Sequence, residues 1–237
     1  MLATSKESPS NNNLIDSVLD SVLAGTSITD DDAVLLAQGE HQSLDRLCAV
    51  AAHLRDQGKG RVVTFSPKVF IPLTRLCRDF CGYCTFRQDP ESADRLFMTP
   101  EQVLDVALAG QRLGCTEALF TLGERPEQRY PEAQEWLIRH GYRTTLEYLT
   151  SLCELVLNET ALLPHANPGT MSRREVEALQ PFNPSMGLML ESTSRHLYAT
   201  GGPHEFAPSK RPRVRLRTIE LAGELGVPFT TGILIGI

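Results

Sequence analysis

Apolar residues recur at helical spacing near the start of the chain, at Leu14, Ile15, Val18, Leu19, Val22 and Leu23, and Gly25 closes the run. A short helix is expected behind the acidic run at residues 30–32, carrying Val34, Leu35 and Leu36. A third, with Leu44, Leu47, Cys48 and Leu54, ends at Gly58, and Cys48 on its apolar face reads as core. From Arg61 the period changes. Residues 62–65 and 69–74 are β-rich, 118–122 form the next expected strand, 161–163 a third, 185–190 a fourth and 228–235 a fifth. Helices are expected between them at residues 99–113, 131–140, 144–158, from Ser172 onward, and at 213–225. Thr99 and Ser172 each open a capping-box spacing, and Pro100 suits a first turn.

Strands alternating with helices at this pitch predict an α/β fold with a parallel sheet and a full or partial β/α barrel, whose chemistry gathers at the carboxyl ends of the strands. Three segments follow: a polar, Ser/Asn-rich lead at 1–13, expected to be disordered; a helical preface at 14–60; and the barrel at 61–237.

The loop after the first barrel strand carries three cysteines in eight residues, CRDFCGYC, with spacing C-x3-C-x2-C at Cys77, Cys81 and Cys84. Three thiolates on one tight loop can converge on a soft metal centre, with Gly82 allowing the sharp turn. Structural zinc takes four protein ligands and electron-transfer iron–sulfur clusters take four cysteines. Three thiols without an obvious fourth point to a cluster with one iron open to a small molecule. The plain alternative is a zinc site completed by Cys115 or His165. Cys153 falls among Leu149, Leu152 and Val156 and reads as core.

C-x3-C-x-aromatic-C resembles the signature loop of the radical S-adenosylmethionine (SAM) enzymes. The resemblance implies a six-unit (β/α) barrel, a 4Fe–4S cluster on Cys77, Cys81 and Cys84, and SAM chelating the remaining iron. One electron from such a cluster releases a 5′-deoxyadenosyl radical that abstracts hydrogen from a substrate. It further implies Tyr83 near the adenine, Gly123 and Glu124 at the SAM amino group, and Glu191, with Ser192 beside it, at the ribose or carboxylate. The segment GILIG at 232–236 resembles the family's G-x-I-x-G-x-x-E, with Gly232 and Gly236 letting a flat base approach the backbone. The match at Glu124 is partial, since Leu122 replaces the first glycine of a Gly-Gly-Glu pattern.

Within that superfamily the segments KVFIPLT, EALFTLGERPE, LLPHANPGTMS, PSMGLMLESTS and PFTTGILIGI resemble the FO synthases, which form 7,8-didemethyl-8-hydroxy-5-deazariboflavin for a deazaflavin coenzyme. That likeness alone implies a lyase that oxidises and cyclises a tyrosine-derived 4-hydroxybenzyl adduct of ribitylaminouracil with loss of ammonia. It also implies an unidentified electron donor and a tyrosine-using partner synthase, fused or separate. His165 and Asn167, expected in a turn after the third strand, are candidate substrate contacts. Arg211, Arg213, Arg215 and Arg217 read as a solvated helix surface. Rival readings are another radical SAM enzyme, of biotin-synthase or menaquinone-pathway type, and a non-catalytic iron–sulfur or zinc protein.

Composition adds exclusions. With 23 basic against 29 acidic residues in 237, a net of −6, the global charge favours neither nucleic acid nor an anionic membrane. The six cysteines lack the spacing of a secreted disulfide framework, and a reducing cytoplasm suits an exposed cluster. Five strand units against the six implied, and a pattern cut off before its final glutamate, lead us to expect a barrel incomplete at its C-terminus and a fragment poorly soluble or inactive by itself.

Overall fold

The structure, a computed structural model, describes residues 11–39 and 41–237; residues 1–10 of the expected lead lie outside the described residues. The chain divides between Phe65 and Ser66 into two compact units.

In the first unit, helix α1 spans Asn11–Leu23, α2 Asp30–Ala37 and α3 His41–Lys59. Helix α1 therefore takes in the last three residues of the expected lead. Thr29 caps α2 through a reciprocal bond with Asp32. Ile15, Leu19 and Val50 form a small core, with Val22, Leu35, Leu36 and Leu47 packed against it. Cys48 is exposed, which corrects its assignment to that core. The β-rich residues 62–65 form no strand: Val62, Val63 and Phe65 are all more than three-quarters exposed. Strand propensity without a partner strand has no ladder to join.

The second unit carries five parallel strands in the order β1-β2-β3-β4-β5. They are β1 Lys68–Thr74, β2 Glu117–Leu122, β3 Leu163–Asn167, β4 Ser185–Gly187 and β5 Phe229–Thr230. Helices α4 Pro100–Arg112, α5 Pro131–Arg139, α6 Thr145–Glu159, α7 Arg173–Leu179 and α8 Pro212–Glu224 connect them. The expected capping boxes at Thr99 and Ser172 are both formed.

Side-chain alternation sorts the sheet into two faces. Ile71, Leu73, Ala118, Phe120, Ala166 and Met186 are buried in one continuous core that includes Leu149, Leu152 and Cys153 of α6. The other face, with Pro72, Thr121 and Asn167, is only partly covered and leads to the cavity described below. The third strand lies later than expected, so His165 and Asn167 sit in β3 and not in a turn. β4 and β5 are shorter than their apolar runs. Beyond them only the Glu191–Ile233 bridge continues the pairing. Among the described residues no helix is long and apolar enough to cross a membrane.

Candidate active site

The loop leaving β1 turns back across the carboxyl ends of β2, β3 and β4 and encloses a cavity of about 190 Å³. Cys77, Cys81 and Cys84 line it, together with Tyr83, Thr121, Gly123, Glu124, Asn167, Met189, Glu191, Lys210 and Arg215. All six cysteines are free thiols. Burial pushes the Cys77 thiol up to about 12, and the Cys81 thiol up to about 11 despite the nearby Lys210 and Arg215 cations.

Backbone contacts explain why Gly-Glu ends β2. The Glu124 N–H donates to Cys77 Sγ at 3.1 Å, and the Arg78 N–H donates to the Glu124 carbonyl at 2.8 Å. A Cβ on Gly123 would run into the Leu76 carbonyl and the Cys77 side chain, so only glycine lets strand end and cysteine loop approach this closely.

Glu124 is 5 % exposed, and its carboxylate accepts from Thr170 N at 3.1 Å and from the Thr170 hydroxyl. Arg78 Nη2 stands 3.6 Å from the same oxygen. Glu191 pairs with Lys210 across the cavity wall. Its backbone is left-handed at φ 68°, and Arg125, directly after Glu124, lies at φ 41°. These are the two positive-φ residues other than glycine among those described, and both adjoin the cavity carboxylates. Such backbone is costly for a residue with a Cβ and gathers at functional sites.

The structure thus brings together the three cysteines, Tyr83, Gly123, Glu124, Asn167 and Glu191. His165 is buried one alternation below Asn167 on β3, with Nδ1 2.7 Å from Ser185 Oγ and away from the cavity lining. Burial, and then the Lys68 ammonium, hold its imidazole below the ordinary histidine range. Gly232 accepts the Glu191 N–H through its carbonyl at 3.0 Å and approaches Met189, but neither Gly232 nor Gly236 lines the cavity.

Arg215 corrects the solvated reading of its arginine run. It is 5 % exposed, donates to the carbonyls of Ser209 and Met189, and reaches the cavity. Odd spacing scatters arginines around a helix, and that pattern could not single out the one facing inward. Thr170 and Lys210, which hold the two carboxylates, gave no sequence signal either. Cys115 precedes β2, about six residues or 20 Å along the strand from the cysteine loop, which removes it as a fourth ligand.

Comparisons with known proteins agree with this geometry. The sequence profile of the radical SAM superfamily matches residues 71–237. The chain is 50 % identical over 223 residues to an FO synthase of Streptomyces avermitilis, covering 90 % of this chain and 26 % of that protein. It is 53 % identical over 176 residues to a 7,8-didemethyl-8-hydroxy-5-deazariboflavin synthase of Methanopyrus kandleri, covering 74 % of this chain and 53 % of that one. The chain therefore spans about a quarter and about half of the length of these relatives. Among solved structures, the FeFe-hydrogenase maturase HydG of Carboxydothermus hydrogenoformans shares the fold, with a TM-score of 0.72 at 22 % identity over 93 % of this chain and 48 % of that one.

Proposed function

The chain belongs to the radical SAM superfamily, and from that premise we propose that it supplies the SAM-cleaving site of an FO synthase. The observation that carries the reading is one cavity walled by three thiols of a single loop and by two carboxylates, Glu124 and Glu191, from the ends of β2 and β4. Identity near 50 % to the deazaflavin synthases supports the substrate class, a 4-hydroxybenzyl adduct of ribitylaminouracil.

The donor set fits a cluster. Three thiols of one loop reach the same cavity, and its lining offers no fourth cysteine. That arrangement suits a group of several metal atoms, and three thiolates leave one of its irons open. Cys77, Cys81 and Cys84 would hold a 4Fe–4S cluster. When bound, cluster and SAM supply one-electron cleavage of SAM and abstraction of a substrate hydrogen.

The chain's own residues bind, orient and shield. The Glu124 N–H lowers the charge on Cys77 Sγ, and Glu124 itself, held by Thr170 and Arg78, offers its carboxylate to the SAM ammonium. Glu191 can accept from ribose hydroxyls. Tyr83 and Asn167 both line the cavity, where Tyr83 would meet the nucleoside and Asn167 the substrate. Closure of the loop over the strand ends keeps water from a reactive intermediate. An electron donor and a tyrosine-using partner synthase complete the pathway step. Anaerobic reconstitution followed by assay of 5′-deoxyadenosine, with and without the uracil adduct, tests the proposal. Release of 5′-deoxyadenosine without deazaflavin formation points to another radical SAM reaction, and a protein that takes up no iron–sulfur cluster and binds no SAM overturns the reading.

A further inference from the structure

Between β4 and α8 the chain makes a tight excursion whose last part is a second partner for the cysteine loop. The Phe80 N–H donates to the Phe206 carbonyl at 2.9 Å in an antiparallel bridge, and the Gly82 N–H donates to the Pro203 carbonyl at 2.8 Å. Side chains extend the seam. Tyr83 Oη meets His204 Nε2 at 2.9 Å, Arg78 Nε donates to Ser209 Oγ at 3.0 Å, and the Ser209 N–H donates to Asp79 Oδ1 at 3.3 Å. Arg78, Asp79, Phe80, Gly82 and Tyr83 are all the residues between the three cysteines, and every one of them bonds to residues 203–209. The thiols are left for the cavity.

The seam is dry. His204 is 1 % exposed and Ser209 fully buried. The His204 ring lies edge-on to Tyr83, with centroids 5.5 Å apart, and tilted against Tyr198 at 5.2 Å. Its Nδ1 has no hydrogen-bond partner. An orphaned ring nitrogen in a dry slot is a cost that phenylalanine or leucine would not carry. What the imidazole gains there is the bond from Nε2 to the Tyr83 hydroxyl. Gly202 sets the excursion's shape, since a Cβ would meet the Leu197 carbonyl oxygen at 2.5 Å.

We propose that residues 203–209 are the template that holds the cysteine loop in its cluster-binding shape, and that His204 is a positioning residue fixing the Tyr83 ring at the cavity wall where the SAM nucleoside binds. The inference rests on the radical SAM reading above.

Two measurements test it. If the template shapes the loop before iron arrives, the Phe80 and Gly82 amides exchange slowly with deuterium in the cluster-free protein; rapid exchange at both overturns the template. For His204, SAM affinity is read from the change in the reduced cluster's electron paramagnetic resonance signal on titration, so turnover is not required. His204→Phe and Tyr83→Phe are each expected to weaken SAM binding about five- to tenfold with unchanged iron content. The double variant is no weaker than the weaker single, because both changes remove one bond. His204→Gln, which presents an amide to the hydroxyl, recovers part of the loss. Additive losses, or wild-type affinity in His204→Phe, overturn the positioning role. If His204→Phe does not fold, His204→Leu replaces it in the same cycle. A wild-type protein that binds no SAM sinks the underlying reading instead.

Discussion

Glu124 donates its backbone N–H to Cys77 Sγ at 3.1 Å, so the end of β2 is bonded directly to the first cysteine of the loop. The contact exists because Gly123 has no side chain to strike the Leu76 carbonyl. Gly123→Ala must push loop and strand apart, at a cost of about 1–3 kcal/mol, and is expected to lower iron loading as well as melting temperature. Gly223→Ala is the control. It lies in α8 with nothing within 4 Å of a Cβ, and is expected to be neutral or to stabilise by up to about 1 kcal/mol. Equal iron content in both variants would disprove the close-approach argument.

Among the cysteines the structure separates roles by burial and place. Alanine at Cys77, Cys81 or Cys84 is expected to abolish the cluster's visible absorbance and SAM cleavage. Cys48→Ala should leave both intact, since Cys48 is exposed in the helical unit. Cys153→Ala should keep the cluster while costing about 1 kcal/mol, because Cys153 fills the core under α6. Retained absorbance and activity in all three loop variants would remove the site.

Glu124 and Glu191 face the cavity from different strands, and neither is a cluster ligand in this reading. Glu124→Gln and Glu191→Gln are therefore expected to raise the SAM dissociation constant about tenfold or more, with cluster content near wild type. Calorimetric titration on the reconstituted protein checks this. Unchanged affinity in both would leave only the cysteine loop supporting the site.

Much of this was legible in the sequence because the informative features are local. The cysteine spacing, the capping boxes at Thr99 and Ser172, and the apolar runs behind β1, β2 and α4 to α6 each declare themselves within a few residues. The errors arise where distant packing decides. Residues 62–65 have strand propensity and no partner; Cys48 sits on a helix face that the small core does not reach. Arg215 is one of four arginines at odd spacing, and only the position of residues 189 and 209 turns it inward. His204 was invisible for the same reason: its partner, Tyr83, is 121 residues away.

The last prediction concerns the support behind Glu124. Arg125 donates to Glu175 Oε1 at 2.9 Å and Oε2 at 3.0 Å and also to the Thr170 carbonyl at 2.8 Å, and Thr170 in turn holds Glu124. Burial by itself would raise the Glu175 carboxyl, but the Arg125 guanidinium and the bonds from Ser172 outweigh it and hold Glu175 down from 4.5 to about 2. A carboxyl depressed on folding stabilises the native state above its unfolded value and loses that contribution as pH falls through its folded value. The window here runs from 4.5 down to about 2. With both side chains less than a quarter exposed, the contribution above that window is of order 2 kcal/mol. In urea unfolding of the cluster-free protein, Glu175→Gln is therefore expected to be about 2 kcal/mol less stable than wild type near pH 6, with the gap closing as pH approaches 2. A gap that stays constant across that range would show that Glu175 acts through packing and not through its charge.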